Sequence, residues 1–307
     1  APWAASTGRR VAVVGGGPAG LTAARELSRL GHAVTIYEGS AALGGMLVQG
    51  IPGFRLPRDI VAAEVDLILR GGVTAETGSP VDAAGVTLLA ADHDAVLLAA
   101  GTMLPNPLTV DGDLAGAQMG LDFMGRFNRG AAGVAGDVLV IGGGFTAVDC
   151  ARAARRIARK RSRITLAYRR TEASMSADLH EIRAMVEEGV AVRTLLSPVA
   201  IEADGDGRRR MIFARNRVAP AAAGGKPAIT AVPGSRVSIP FDTLVIAIGQ
   251  HRDPGLLPRD VALADGHRTS HPRIFTAGDF QGGAADVITA VASGKAAAVD
   301  IDAALQG

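Results

Sequence analysis

Cysteine is almost absent from this sequence, since Cys150 is the only one among 307 residues. One thiol excludes an intrachain disulfide, a CxxC redox pair and an iron–sulfur cluster held by cysteines of this chain alone. Cys150 lies in a helical pattern between "AVD" and "ARAA", where we expect a small buried hydrophobe. The six histidines lack metal-ligand spacing, so we predict no metal site and expect them at surface or loop positions.

Long apolar runs are also missing, and no basic segment followed by an apolar one opens the chain. We therefore predict neither a membrane span nor a signal peptide, and expect a cytoplasmic protein without a membrane partner. The formal net charge is only +2, so a nucleic-acid partner is not expected. The first residue is Ala1 rather than Met, which indicates processing or excision from a longer protein.

Aromatic residues make up only 4% of the chain, whereas 48% is hydrophobic and 40 residues are glycine. Such a composition is typical of an α/β protein with many tight turns between strands and helices. Strand-like runs alternate with helical patterns, which predicts parallel sheets. The predicted strands are Val11–Val14, Ala33–Tyr37, Ala95–Ala99, Val138–Ile141, Arg163–Ala167, Thr243–Ile248 and Arg273–Thr276. The predicted helices are Ala19–Leu30, Asp59–Leu69, Thr146–Ala158, Asp178–Glu188 and Asp286–Ala304.

A glycine motif follows the first predicted strand. Gly15, Gly17 and Gly20 form G-x-G-x-x-G at the start of a helix, and Glu38 stands 18 residues later at the end of the next strand. The glycines allow a tight turn, close approach to a pyrophosphate and close helix–strand packing, while the acid accepts hydrogen bonds from ribose hydroxyls. The pattern favours dinucleotide binding; the alternative is a purely structural turn.

Three later stretches bear on which dinucleotide binds. The Gly44–Gly45 pair permits another close backbone approach, and "DAVLLAAGT" ends a strand in small residues. Near the C-terminus "HPRIFTAGDF" ends a strand at Gly278–Asp279, where a carboxylate is able to accept the ribitol hydroxyls of a flavin. Each stretch alone is compatible with an ordinary loop, but together and in this order they indicate FAD.

In these stretches the sequence resembles the flavoproteins with two dinucleotide-binding domains. It is most similar to the flavin module of the glutamate synthase small subunit and of dihydropyrimidine dehydrogenase. The resemblance runs from about Arg10 to about Val299. It is carried by "GGGPAGL", "GGMLVQGIPGFRLP", "LAAGT", "IGGGFTAVDCARAA", "LAYRRTEASMSA", "EEGV", "IAIGQ" and "IFTAGDFQGGAADVITAVASGKAAA".

The resemblance implies bound FAD and electron exchange with an iron–sulfur partner subunit. Family members usually carry an N-terminal domain with cysteines for two clusters; this chain lacks those cysteines, so the clusters are expected on another subunit. A second departure is Phe145, which replaces an asparagine common in the family. The candidate FAD contacts are Gly15, Gly17, Pro18, Ala19, Gly20, Glu38, Gly44, Gly45, Met46, Arg55, Ala100, Gly101, Thr102, Gly278, Asp279, Asp286 and Val287.

A second glycine motif ends in the opposite charge. Gly142 and Gly144 begin G-x-G-x-x-A after a strand, and aligning "VTIYE" with "ITLAY" puts Tyr168 in the place of Glu38. Arg169–Arg170 follow, and guanidinium groups bind a 2′-phosphate that a carboxylate would repel. NADP(H) is therefore favoured; the alternatives are NAD(H), since similar NADH-using relatives carry Tyr-Arg-Arg, and solvated strand-end arginines. The candidate NAD(P)H contacts are Gly142, Gly144, Phe145, Thr146, Ala147, Arg169, Arg170 and Gly249.

Two connections rich in Pro, Gly and Asp, Thr102–Gly116 and Gly249–Pro258, bracket the second motif. The fold predicted is therefore two Rossmann-like domains, with the NAD(P)H domain inserted into a discontinuous FAD domain. We expect the FAD domain at 8–112 and 250–307, the NAD(P)H domain at 113–249 and a loose segment at 1–7.

Two basic segments fall outside these motifs. The run "RAARRIARKRSR" spaces its arginines by three and four residues, which favours a solvated helix face; the alternative is a docking patch for an acidic partner. "GDGRRR" is typical of a hairpin turn and its flank.

The expected chemistry is hydride transfer between nicotinamide C4 and flavin N5. Proximity and stacking suffice for this step, so no catalytic side chain is predicted. The leading hypothesis is an NAD(P)H-linked flavoprotein subunit that feeds or drains an iron–sulfur enzyme. The alternatives are a self-sufficient NAD(P)H oxidoreductase with a small soluble acceptor and a structural flavin-binding subunit without turnover.

Overall fold

The computed structural model describes residues 4–219 and 228–306. Its strands are β1 (Arg10–Val14), β2 (Ala33–Glu38), β3 (Thr74–Thr77), β4 (Ala95–Leu98), β5 (Leu104–Pro105), β6 (Gln118–Met119), β7 (Val138–Ile141), β8 (Ile164–Ala167), β9 (Ala191–Arg193), β10 (Leu196–Ala203), β11 (Arg209–Val218), β12 (Ile229–Ala231), β13 (Val237–Pro240), β14 (Thr243–Ile246), β15 (Gln250–His251) and β16 (Ile274–Thr276). Its α-helices are α1 (Pro18–Arg29), α2 (Met46–Gln49), α3 (Arg58–Arg70), α4 (Ala83–Asp92), α5 (Gly120–Asn128), α6 (Phe145–Ile157), α7 (Leu179–Glu187), α8 (Asp279–Gly282) and α9 (Val287–Gln306). Among these helices none combines the length and the apolar character needed to cross a bilayer.

The described chain divides into two compact units. The first contains residues 4–49, 53–104 and 250–306, and the second contains residues 50–52, 105–219 and 228–249. Residues 105–112, which the sequence suggested for the first domain, belong to the second unit. The cause is a local ladder in which the Asp111 N–H donates to the Val199 carbonyl at 3.0 Å and the Ile201 N–H donates to the Asp111 carbonyl at 2.8 Å.

Five parallel strands form the sheet of the first unit, in the order β16-β4-β1-β2-β3. Alternate residues of β1 point to opposite faces, as they must in a strand. Val11 and Val13 pack with α1 and α9, whereas Ala12 and Val14 pack with α4. The sheet therefore lies between two helical layers, which confirms the parallel α/β fold predicted from the alternating pattern.

The second unit repeats this plan with one exception. Its parallel sheet has the order β6-β14-β7-β8-β9, and α5, α6 and α7 cover one face. The other face packs against an antiparallel sheet in which β10, β12 and β13 all pair with β11. The "GDGRRR" segment forms the β10–β11 hairpin, as predicted, but the extent of this sheet was not predicted.

Residues 4–7 of the expected loose segment are held in place by hydrogen bonds. The Ala4 N–H donates to the Arg29 carbonyl at 3.0 Å, and the Thr7 N–H donates to the Gly31 carbonyl at 2.9 Å. Residues 1–3 of the expected loose segment lie outside the described residues. His32, expected at a surface or loop position, lies in the loop between α1 and β2, where it is buried and its ring bonds to Thr7 Oγ1 at 2.8 Å and to Asp302 Oδ1 at 3.0 Å. His93 is likewise a buried loop residue, directly after α4.

The arginines expected on a solvated helix face are mostly engaged within the second unit. Arg152 is only 9% exposed, and it pairs with Glu181 and, at 2.7 Å, with Glu188. Arg156 pairs with Glu188 at 2.6 Å. These acids follow Arg152 by 29 and 36 residues, so the helical pattern alone gave no sign of them. Arg163 lies beyond α6 and pairs with Asp137.

Glu188 provides a test of this α6–α7 ion cluster. Burial raises its pKa, but Arg156 and Arg152 outweigh burial and lower the pKa from 4.5 to about 2. We expect Glu188→Gln to reduce the free energy of unfolding at pH 7 by about 2 kcal/mol, somewhat less than the full shift implies because the carboxylate keeps some solvent contact. Urea titration measures this difference.

The sign of the pH dependence follows from the lowered pKa. The carboxylate stabilises the fold fully above its unfolded pKa, and this stabilisation is lost as the pH falls from about 4.5 towards 2. The difference between wild type and Glu188→Gln should therefore shrink over that interval. Glu187→Gln, which alters the exposed neighbouring carboxylate, is the control. Equal effects of both substitutions, or a difference independent of pH, would contradict the stabilising role of Glu188.

Candidate dinucleotide sites

The loop between β1 and α1 requires glycine at two positions for packing. Gly15 has φ +105°, and a Cβ there would stand 2.6 Å from the Ala99 carbonyl oxygen. A Cβ on Gly20 would collide with the Gly15 carbonyl oxygen. Gly17 differs, because a Cβ there would find no atom closer than the Gly45 Cα at 3.9 Å. Gly15 and Gly20 therefore serve the fold, whereas the open space at Gly17 suits a pyrophosphate lying against the backbone.

A second loop crosses the first at Gly44–Gly45, just before Met46 begins α2. The Gly44 N–H donates to the Gly16 carbonyl at 2.8 Å. Gly45 has φ +49°, and a Cβ there would lie only 2.8 Å from the Gly17 Cα. The absence of side chains lets the two loops lie together and leaves main-chain groups beside the space at Gly17.

Glu38 ends β2 and braces the glycine loop. Its Oε2 accepts the Gly16 N–H at 2.7 Å, while its Oε1 accepts the Ser40 N–H at 2.8 Å and the Ser40 hydroxyl at 2.6 Å. A carboxylate has about four acceptor positions, so one is left after these three bonds. The predicted ribose contact is compatible with that remaining position, and Glu38 has a bracing role that the sequence did not indicate.

The C-terminal part of the first unit reaches the same loop through Ala19. A Cβ on Gly278, which has φ +64°, would lie 2.7 Å from the Ala19 Cβ, and a Cβ on Gly294 of α9 would collide with the Ala19 carbonyl oxygen. These close approaches place the Gly278–Asp279 turn next to the first turn of α1. Burial raises the pKa of Asp279, and the neighbouring Asp286 carboxylate raises it further.

Other predicted FAD contacts have varied surroundings. Asp286 is exposed and caps α9, since its Oδ1 accepts the Thr289 N–H at 2.7 Å, and Val287 begins that helix. Thr102 is buried just beyond β4, and Gly101 has φ +70° with open space around it. Arg55 is half-buried between α2 and α3.

The glycine loop, the Gly44–Gly45 loop, the segment after β4 and the Gly278–Asp279 turn all follow strands at one edge of the first sheet. Because β1, β2, β4 and β16 are parallel, their carboxyl ends meet there. Ligands of open α/β sheets bind outside these ends, where the strand order reverses. The residues present therefore fit the dinucleotide that the sequence predicts.

The second glycine loop is built alike but braced differently. Gly142 has φ +148°, and a Cβ there would collide with the Ala247 carbonyl oxygen. The ring of Tyr168 lies against Gly143 so closely that no Cβ fits between them. The Tyr168 hydroxyl donates to the Ser174 carbonyl at 3.0 Å. An aromatic ring therefore occupies the position at which a carboxylate braces the first loop.

The remaining predicted NAD(P)H contacts divide into packing and exposed residues. Ala147 is fully buried, and the Thr146 methyl group packs beside Gly120 of α5. Phe145, the first residue of α6, is 39% exposed despite its apolar ring. Gly249 has φ +102°, and its carbonyl accepts the Asn106 N–H at 3.0 Å.

Arg169 is exposed and Arg170 is half-buried, directly after Tyr168. Asn216 fixes this turn, because its Nδ2 donates to the Arg169 carbonyl at 2.7 Å and to Ser197 Oγ at 2.8 Å. The Ser176 N–H donates to the Gly143 carbonyl at 3.1 Å. Sequence reasoning missed both Asn216 and Ser176; the quoted "EASMSA" stretch contains Ser176, but no signal in the sequence points to Asn216.

Comparisons with known proteins agree with this arrangement. The family described as pyridine nucleotide-disulphide oxidoreductase matches residues 9–294. The chain is 38% identical to the NADP(+)-dependent formate dehydrogenase subunit beta of Moorella thermoacetica, over 97% of this chain and 44% of that protein. It is 30% identical to the glutamate synthase [NADPH] small chain of Escherichia coli, over 95% of this chain and 68% of that protein.

A solved structure shares the fold. Mycobacterium tuberculosis FprA in complex with NADPH superposes with a TM-score of 0.83 at 18% identity, covering 97% of this chain and 84% of that one. The chain spans less than half of the length of the formate dehydrogenase subunit. The similarity therefore concerns one part of that larger protein.

Gly17 provides a test of the first site. We expect Gly17→Val to abolish FAD retention, because the side chain would fill the space beside the loop, while its Cβ comes no closer than 3.9 Å to the Gly45 Cα. The measurement is the FAD released on denaturation per mole of purified protein.

The matched control is Gly20→Ala, whose added methyl group collides with the Gly15 carbonyl oxygen. We expect Gly20→Ala to lower the thermal unfolding midpoint of the apoprotein, and Gly17→Val to leave that midpoint nearly unchanged. Stoichiometric FAD in Gly17→Val would show that this loop does not hold the cofactor.

Proposed function

We propose that this chain, which belongs to the pyridine nucleotide-disulphide oxidoreductase family, transfers hydride between NAD(P)H and FAD and exchanges electrons with iron–sulfur centres on a partner subunit. The family binds FAD and NAD(P)H, and the chain is accordingly an oxidoreductase that uses these cofactors. The direct hydride transfer and the partner are the parts that we propose.

The proposal rests on one observation: the chain has two glycine loops that fit dinucleotides but only one cysteine, and the thiol of that cysteine is unreactive. Cys150 is fully buried in α6, and its Sγ donates to the Gly120 carbonyl at 3.5 Å. Burial raises its pKa well above the ordinary thiol value, and Asp149 raises it further. Since the thiolate is the reactive form, Cys150 cannot take part in thiol–disulfide exchange. The disulphide chemistry named in the family description therefore has no counterpart in this sequence.

Bound FAD supplies a group that accepts hydride from nicotinamide and exchanges single electrons with iron–sulfur centres. The side chains described here bind and orient rather than donate protons. The first turn of α1 presents main-chain N–H groups beside Gly17, and that of α6 does so beside Gly144. Glu38 and Tyr168 hold these two loops in shape, as the hydrogen bonds and the ring contact above indicate.

The partner is proposed from the relatives and the cysteine count together. Two of the relatives are named as a beta subunit and a small chain. With one cysteine in the sequence, a cysteine-ligated cluster has to be held outside these 307 residues. Electrons that enter from NAD(P)H then leave for a centre outside this sequence.

The first experiment separates this function from its alternatives. We expect the purified chain to be yellow, and anaerobic NADPH or NADH to bleach its flavin band. Isolation from the native source should then recover a partner whose iron is found by metal analysis. A flavin that no nicotinamide reduces would indicate a structural subunit. Rapid turnover with a small soluble acceptor and no iron-containing partner would indicate a self-sufficient oxidoreductase.

For the coenzyme we propose NADP(H), bound through Arg169 and Arg170. A hydrogen bond to a charged group contributes about 1.5–3 kcal/mol, so Arg169→Ala or Arg170→Ala should weaken NADPH binding by roughly 10- to 150-fold. NADH lacks the 2′-phosphate and should bind almost as before. The quantity to measure is the ratio of the two dissociation constants, because general damage to the fold cancels in it.

Arg183→Ala is the control for loss of positive charge, since Arg183 is an exposed arginine on α7. It should leave the NADPH-to-NADH ratio unchanged. The same unchanged ratio in both Arg169→Ala and Arg170→Ala would rule out the proposed 2′-phosphate site and favour NAD(H).

A further inference from the structure

Three side chains of the first unit form a hydrogen-bonded series beside Asp279. Oδ2 of Asp300 lies 2.9 Å from Nδ1 of His267, and Nε2 of His267 lies 3.3 Å from Oγ of Ser293. Ser293 Oγ also accepts the Gly278 N–H at 2.8 Å. We call this series the Asp300–His267–Ser293 relay. Ser293 and Asp300 are seven residues apart on α9 and so share one face, while His267 lies in the loop before β16.

The chemistry of the end groups fixes the direction of two of the three bonds in the relay. An ionised carboxylate only accepts, so Nδ1 of His267 carries the hydrogen that Asp300 receives. A main-chain N–H only donates, so Ser293 Oγ accepts the hydrogen of Gly278. Between them, Nε2 accepts from the Ser293 hydroxyl in the neutral imidazole and donates to Ser293 Oγ in the imidazolium. In either form His267 links Asp300 to the Gly278 peptide through Ser293.

The relay ends at a peptide whose conformation requires glycine. Gly278 has φ +64° and ψ −149°, a backbone region that only glycine adopts at low cost. The other end of the turn is braced as well, since Gln281 Nε2 donates to the Gly266 carbonyl at 2.7 Å and Thr276 Oγ1 donates to Gln281 Oε1 at 2.6 Å. Gly266 precedes His267, so one loop supports both ends of the turn that carries Asp279.

The same three residue types build the nucleophilic triad of hydrolases, but the surroundings here argue against that role. Ser293 lies within the 20-residue helix α9, and its Oγ already accepts a main-chain N–H. The relay therefore holds a backbone group instead of activating an attacking oxygen.

We propose that His267 is a positioning residue for FAD, which through Ser293 fixes the Gly278–Asp279 turn so that the Asp279 carboxylate faces the cofactor. This inference rests on the proposed FAD site at Asp279. His267 acts without touching the cofactor, and its effect should appear in FAD affinity.

Two amide substitutions of His267 distinguish the two roles that this residue could have. One role is to position the Gly278–Asp279 turn through Ser293, and the other is only to attach α9 through Asp300. The amide of Asn lies where Nδ1 lies and retains a donor for Asp300, whereas the amide of Gln reaches the place of Nε2 and retains a partner for Ser293. We expect His267→Gln to bind FAD within about threefold of wild type, and His267→Asn and Ser293→Ala to bind about tenfold more weakly. The measurement is the FAD dissociation constant of the full chain.

The double variant adds a second criterion. If His267 acts through Ser293, then combining His267→Asn with Ser293→Ala should weaken FAD binding no further than Ser293→Ala alone. If His267 only fastens α9 through Asp300, then His267→Asn should retain more FAD than His267→Gln. That reversed order, or additive losses in the double variant, would overturn the proposal.

His32 supplies a matched control, because it bonds to an aspartate of the same helix as His267 does. Its Nε2 bonds to Asp302 of α9 at 3.0 Å, but its other nitrogen meets Thr7 and not the Gly278 turn. We expect His32→Asn to lower the thermal unfolding midpoint of the apoprotein while leaving FAD affinity unchanged. A loss of affinity in His32→Asn equal to that in His267→Asn would overturn the relay.

Asp279→Asn distinguishes failure of the relay from failure of the FAD site. A wild type without FAD, or an Asp279→Asn variant of normal affinity, would overturn the proposed site and with it the relay. Weakened binding in Asp279→Asn together with normal binding in Ser293→Ala and His267→Asn would overturn the relay alone.

Discussion

The contact at Ala19 is the constraint on which the first unit depends. Gly278 and Gly294 both approach this alanine more closely than any side chain would allow. The approach draws the last helix onto the first one, and with it the turn that contains Asp279. The proposed FAD site at the carboxyl end of β1 is therefore completed by residues from the far end of the described chain. Any enlargement at Gly278 or Gly294 would separate the two halves of that site.

The two glycine loops show how one backbone design is stabilised in two ways. In the first loop, Glu38 neutralises main-chain donors with its carboxylate, and those bonds bridge the loop and the following turn. In the second loop, the Tyr168 ring covers Gly143, and its hydroxyl anchors the segment that carries Ser176. A carboxylate thus supports the turn in the first loop, and an aromatic ring supports nearly the same turn in the second, where Arg169 and Arg170 follow directly.

Features set by neighbouring residues were predictable from the sequence, and features set by distant ones were not. The glycine loops and the parallel strands depend on local spacing and on uninterrupted apolar runs, and the structure has them nearly as predicted. Arg152 was expected in solvent, but its acidic partners lie on α7 and just beyond it. The strands around β11 mix polar and apolar residues, so only their hairpin stood out. Asn216 and His267 are single polar residues whose partners come together only in the folded chain.

The ring contact at Tyr168 has a consequence for how coenzyme preference changes within this scaffold. An acid at position 168 would remove the ring that covers Gly143 and leave a void where the turn is now supported. Replacement of Tyr168 by an acid alone therefore destabilises the loop through lost packing, whatever its effect on coenzyme binding. The Arg169 side chain that follows is exposed, so a change of its charge alters the surface beside the loop without removing the ring. The shape of the second loop is therefore tied to an aromatic side chain at position 168, whereas the shape of the first loop is tied to a carboxylate at position 38.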